Sequence, residues 1–196
     1  MNLLGSKDHT HRSKIALGVA ALMLAMIACQ IDVGGPEPPG QPIPTQVDAA
    51  GELSRSWQAA LTSAAKTGQV LVILDEMQLT SFLAHRLEEK DPPALLDPQV
   101  YLRQNAIQVY GIIERGPLKA SVLVVVEPII NPEGSISLEL TTAEIGPIPA
   151  PVALKDTISA ILTEAFTGSI GSLATGIRVS SLAIADGEMA IVGELR

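Results

Sequence analysis

Between Leu118 and Val126 the chain alternates without a fault: Leu118, Ala120, Val122, Val124 and Val126 all fall on even positions. A two-residue period is the signature of a β-strand with one face turned to a core. Leu123 and Val125 make its middle apolar on both faces, so the strand is expected to be covered on both sides. Arg115-Gly116-Pro117 turns the chain before it, and Asn131 to Gly134 turns it after, with Pro128 and Pro132 marking a fraying end. Around this strand the apolar phase changes three times. Val100 and Leu102 are even but Ile107, Val109 and Ile113 odd. Ile136, Leu138 and Leu140 are even but Ala143 and Ile145 odd. Ile177 and Val179 are odd but Leu182 and Ile184 even. A side chain changes face only where a residue is inserted, so bulges are expected near Asn105, Thr142 and Ser181, and bulges bend sheets. Asp186-Gly187 predicts a closing hairpin that returns Met189, Ile191 and Leu195 antiparallel. The expectation is an α+β domain with a strongly curved antiparallel sheet.

A curved sheet needs something in its concavity. Pro147, Pro149 and Pro151 lead into Val152–Leu173, where Ile158, Ile161, Leu162, Ala165, Phe166, Ile170 and Leu173 form an apolar stripe. That predicts a long helix, weakened at Gly168 and Gly171, with the sheet wrapped around it. Two N-terminal helices precede the sheet. One runs over 48–66 on a stripe of Leu53, Trp57, Ala60, Leu61 and Ala64, stopped by Thr67-Gly68. Gln69–Leu74 reads as a short strand. The second helix opens at Asp75, with Gln78 completing a capping box, buries Leu79, Phe82, Leu83 and Leu87, and ends at Asp91-Pro92-Pro93.

The first 28 residues have a different purpose. Lys7, Arg12 and Lys14 precede a 14-residue apolar run, Ile15–Ala28, that ends in Met26-Ile27-Ala28-Cys29. A basic flank, a short apolar middle and small residues before a cut describe a secretory signal. The run falls short of the ~20 residues that span a bilayer as a helix. An exported chain with one cysteine has no internal disulfide, so Cys29 calls for another use. The segment resembles a bacterial lipoprotein signal, which implies lipid on the Cys29 sulfur and cleavage before it. The protein would then sit on the extracytoplasmic face of a membrane. Residues 29–47 follow as a Pro- and Gly-rich linker, Gly34 to Pro44 above all, expected to act as a spacer lifting the domain off the membrane. Residues 48–196 form the single domain.

Composition narrows the partners. Removing residues 1–28 takes away three of the 13 basic and one of the 21 acidic residues, leaving a formal charge of about −10. Such a domain is a poor match for nucleic acid or for loose adhesion to anionic lipid, so a covalent tether is the natural attachment. Aromatic residues are only 3% of the chain, so the core must be aliphatic. Chemistry is sparse. His85 is the one histidine after residue 28 and has no Cys or His beside it in sequence, which argues against a metal site or a histidine-based triad. Gly171 to Gly176 has phosphate-loop glycine spacing but is followed by Ile177 and Arg178 where Lys and Ser/Thr are required. Asp75 and Glu76 are read as a helix cap rather than an acid–base pair. No enzyme, metal or cofactor is expected.

Several short pieces are similar to the LmeA-like and YpmS-like envelope proteins, anchored bacterial domains related in shape to tubular lipid-binding folds. They are Glu76-x-Gln78-Leu79-x-Ser81-x-Leu83, Ile107-x-Val109-Tyr110-Gly111, Ile145-Gly146-x-Ile148-Pro149 and Gly187-x-Met189-x-Ile191-x-Gly193. Together they span most of 48–196. The resemblance implies an apolar groove able to hold acyl chains and no catalytic residue. Val122 and Val124 share a strand face, and Ile158, Leu162 and Phe166 a helix stripe. If helix and sheet splay, these residues line a slot for a phospholipid or fatty acid; if they close, they are core. The alternative is therefore a structural or interaction lipoprotein with a filled interior.

Overall fold

The computed structural model describes residues 31–89, 93, 95–149 and 177–195. The elements, in chain order, are β1 (Ile31–Asp32), α1 (Val47–Thr67), β2 (Gln69–Asp75), α2 (Glu76–Glu88), β3 (Leu96–Arg103), β4 (Ala106–Arg115), β5 (Leu118–Ile130), β6 (Ile136–Ile145), β7 (Ile148–Pro149), β8 (Ile177–Ala185) and β9 (Glu188–Leu195). The protein is mixed α and β, with strands dominant and the sheet curled into a half-barrel.

Local chemistry accounts for the helices. Leu53 and Trp57 on the α1 stripe are fully buried, and Ala60 and Ala64 follow them inward. Gly68 ends α1 in a left-handed conformation, φ 78°, and its N–H donates to the Ala64 carbonyl at 2.7 Å. Only glycine takes that φ without a Cβ penalty. In β2, Val70, Val72 and Leu74 turn inward while Leu71 and Ile73 face out. The capping box at α2 is complete: Gln78 N–H donates to Asp75 Oδ1 at 2.8 Å, and Asp75 N–H to Gln78 Oε1 at 3.2 Å.

Strands β3-β4-β5-β6-β7 form one antiparallel sheet in that order, with β1 added parallel to the start of β5; β2-β9-β8 form a second. The register confirms two of the three expected bulges. On β6, Val125 faces Thr142 and Val126 faces Leu140, which leaves Thr141 extra. On β8, Val179 faces Gly193 and Ser181 faces Val192, which leaves Ser180 extra. The third is corrected. Gln104 and Asn105, at φ 54° and 60°, form a two-residue turn between β3 and β4, with Arg103 paired to Ala106. Both central residues at positive φ is the hairpin geometry that suits twisted strands. Pro128 does not fray β5 either, since pairing with β6 continues to Ile130. The Asp186-Gly187 hairpin forms as expected, with Ala185 opposite Glu188.

The second sheet is tied to the first where Val179 N–H donates to the Gly134 carbonyl at 2.8 Å, at the β5–β6 turn. One apolar core joins both sheets and both helices. It runs from Leu53 and Trp57 through Val70, Leu79 and Leu83 to Val100, Val109, Val124 and Ile191. The long helix expected over 152–173 falls outside the described residues. The helices that the structure does describe, α1 and α2, precede the long meander and lie against the second sheet and the β3 edge.

Candidate functional site: a sheet closed by a helix and a strap

Of the residues expected to matter, Cys29, Ile158, Leu162 and Phe166 lie outside the described residues. Val122 and Val124 are described. They share a face, as their spacing requires, and both are fully buried. Val124 sits between Val109 on β4 and Ala143 on β6, and Val122 between Gly111 and Ile145. These rows form the apolar floor of the curled sheet, and Val122 and Val124 belong to the continuous core.

At the β3 edge, helix α2 replaces a missing strand. Val100 N–H donates to Thr80 Oγ1 at 2.9 Å and Leu102 N–H to Glu76 Oε1 at 2.8 Å. The fit is metric. Four helical residues rise about 6 Å and two strand residues about 6.6 Å, so an i,i+4 pair of acceptors matches an i,i+2 pair of donors. One step further would set Ala84 against Pro98, which has no N–H to satisfy. The edge is thus closed where it has donors. Arg103 adds an ion pair to Glu76, and Gly187 N–H donates to the Leu102 carbonyl at 3.3 Å, which brings the β8–β9 hairpin into the same knot. Read in sequence as part of a cap, Glu76 instead joins α2, β3 and Arg103.

Residues 31–46 close the opposite face. They carry little regular structure, as the Pro and Gly content demands, but they are not a free spacer. Ile31 and Val33 N–H groups donate to the Pro117 and Lys119 carbonyls at 2.8 and 2.9 Å, and Ser121 N–H to Gly34 O at 3.1 Å. The strap then crosses the sheet from β5 to β3. Tyr101 OH donates to Gln41 O at 2.9 Å, the Gln99 amide both accepts from and donates to the Ile43 backbone, and Gln46 N–H donates to Ser81 Oγ on α2 at 3.0 Å. Gly35 is required at the crossing. Its φ is 134°, and a Cβ there would meet Gly146 Cα at 2.7 Å and Ser121 O at 2.9 Å.

Beneath the strap lies a pocket of about 390 Å³ lined by Pro36, Pro38, Pro42, Gln99, Tyr110 and Ile112. Tyr101 and Tyr110 meet edge to face next to it, centroids 5.7 Å apart and planes at 87°. Burial pushes both phenols above their ordinary value of 10.0. The Glu76 charge adds to the rise at Tyr101 against a smaller opposing pull from Arg103, and Glu144 adds to it at Tyr110. A second hollow of about 460 Å³ opens between the start of α1 and the end of α2, near Gln46, Phe82 and His85. His85 is exposed, 3.9 Å from Glu89. Among the described residues no group of His, Cys, Asp and Glu is placed to hold a metal, and no helix is long and apolar enough to cross a membrane. Trp57 Nε1 is the buried side-chain polar atom that lacks a partner there.

No protein-family model matches the chain, and no curated protein matches it in sequence.

Proposed function

We propose that the protein is an exported, non-catalytic envelope lipoprotein, tethered through Cys29 to the extracytoplasmic face of a bacterial membrane. Its domain takes up a phospholipid or fatty acid against the floor of the curled sheet. The observation that carries this reading is the floor itself: Val109, Val122, Val124, Val126 and Ala143 make a continuous aliphatic row across β4, β5 and β6, with the bulge at Thr141 on β6. An acyl chain laid on such a surface gains about 0.8 kcal/mol per buried methylene. Tethering is supported by the apolar run that ends at Cys29 and by the acidic balance of the remainder, which favours a covalent anchor. The full burial of Val122 and Val124 favours a second reading, an interaction lipoprotein whose interior is filled by its own side chains.

Native mass spectrometry of the protein extracted from membranes, followed by uptake of a fluorescent phospholipid, separates the two. The lipid reading expects co-purified lipid and saturable uptake by the parent protein. Val124→Phe should then reduce uptake at least several-fold while still folding, overpacking costing about 1–3 kcal/mol. A parent protein that carries no lipid and takes up none supports the filled-core reading.

A further inference from the structure

We propose that the β4–β5 hairpin tip and β1 form the face that this domain lays directly against the phospholipid bilayer holding Cys29; this rests on the lipoprotein reading above. The tether is too short to let the domain stand off from the bilayer. Cys29 precedes Ile31 by two residues, and two residues of chain reach at most about 7 Å. Ile31 itself is sewn to the domain, with its N–H on the Pro117 carbonyl at 2.8 Å and its Cα partnered with Leu118. The Pro-rich stretch that a spacer reading would pay out between anchor and domain runs the other way, over the sheet toward α2, held through Gln41, Ile43 and Gln46. Whatever holds Cys29 in a bilayer therefore holds the hairpin tip at the headgroups.

The tip is composed for that place. Ile31, Val33 and Leu118 are 56%, 44% and 48% exposed, a cluster of large apolar side chains with no core to explain it. Gly116-Pro117 carries the turn from Arg115 to Leu118, with Gly116 at φ 60°. Arg115 stands exposed at the same turn, while Glu114 is drawn toward Lys119 at 3.9 Å. Apolar side chains flanked by a guanidinium match the acyl boundary and the phosphodiester layer above it. The overall negative charge repels anionic membranes at long range, so this face acts only once the anchor has delivered it.

The test uses the acylated full protein reconstituted in phosphatidylcholine vesicles doped with phosphatidylglycerol. One variant carries Leu118→Cys and another Pro132→Cys, on the turn at the far end of β5, each labelled with an environment-sensitive dye. The probe at position 118 is expected to emit to the blue and to be quenched several-fold by lipids bearing a nitroxide near the headgroup, and the probe at position 132 is expected to stay solvent-like. Solvent-like emission at both positions, with a single dye per chain, overturns the docking face while leaving the anchor intact. Two dyes per chain would mean a free Cys29 thiol, and then the lipoprotein reading and this inference fall together.

Discussion

Helix α2 and the strap cover the same sheet, one at its edge and one across its back, by opposite means. The helix supplies side-chain acceptors to backbone donors at the sheet edge: the Thr80 bond is fully buried, and the Glu76 bond is half-buried. The strap supplies irregular backbone; its bond from Gly34 N–H to Asp32 Oδ1 at 2.8 Å is exposed to water, and its fastenings at Ile43, Gln46 and Gln41 are only part-buried. A buried donor that loses its partner pays the full desolvation cost, whereas an exposed one trades a protein partner for water. The seam between α2 and β3 should therefore be part of the cooperative fold, and the strap a separate, weaker layer that can open alone.

The seam carries the largest expected effect. Thr80→Val keeps shape but leaves Val100 N–H buried and unpaired, at a cost of about 1–3 kcal/mol. Glu76→Ala removes the acceptor of Leu102 N–H and the partner of Arg103, with a loss of about 1.5–3 kcal/mol, solvent at Arg103 holding it below a fully buried pair. Denaturant midpoints read both. Wild-type stability in Thr80→Val would mean that water reaches Val100 and that the seam is no more essential than the strap.

Next is Gly35→Ala. A Cβ at φ 134° would press on Gly146 and Ser121 backbone, a strain of about 1–2 kcal/mol. The strap can escape it by lifting, so the global midpoint should move less than in Thr80→Val. Hydrogen exchange should accelerate at Val33 and Ser121, whose amides make the crossing bonds, and hold steady at Val100 and Leu102. Equal acceleration at all four would show the strap and seam to be one unit and erase the contrast.

Sequence and structure agree where one local rule decides. Val122 and Val124 share a face because a strand has a period of two, and Asp75 with Gln78 caps α2 because both partners lie within one turn. The phase changes were legible as events but ambiguous in kind. A bulge of one residue and a hairpin loop of two both switch apolar residues from even to odd positions. The changes near Thr142 and Ser181 are bulges, with Thr141 and Ser180 the extra residues, and that at Asn105 is a turn, betrayed only by asparagine's tolerance of the left-handed region. The strap and the seam were not legible. Prolines and glycines announce an irregular segment without saying what it lies on, and its partners Ser81, Gln99 and Tyr101 are 35 to 60 residues away. Glu76 and Thr80 reveal their spacing only once β3 is known to run beside them.

The smallest expected effect is in alkali, and at Tyr101 it acts on the strap. Tyr101 and Tyr110 have phenol groups raised above 10.0, mainly because burial disfavours the phenolate. In the unfolded chain both lose their protons near 10, so between that value and the folded ones the native state holds more protons. Stability is then full below pH 10 and falls as pH rises through the folded values. At Tyr101 the consequence is structural, because the neutral phenol donates to the Gln41 carbonyl and a phenolate would face that oxygen with no proton to share. Thermal melts from neutral pH into alkali should be flat and then decline in the parent protein. Tyr101→Phe removes the donor at every pH, so it should start slightly lower and decline less, Tyr110 supplying what slope remains. Parallel curves for parent and variant would place the alkaline transition elsewhere and take Tyr101 out of the strap's fastening.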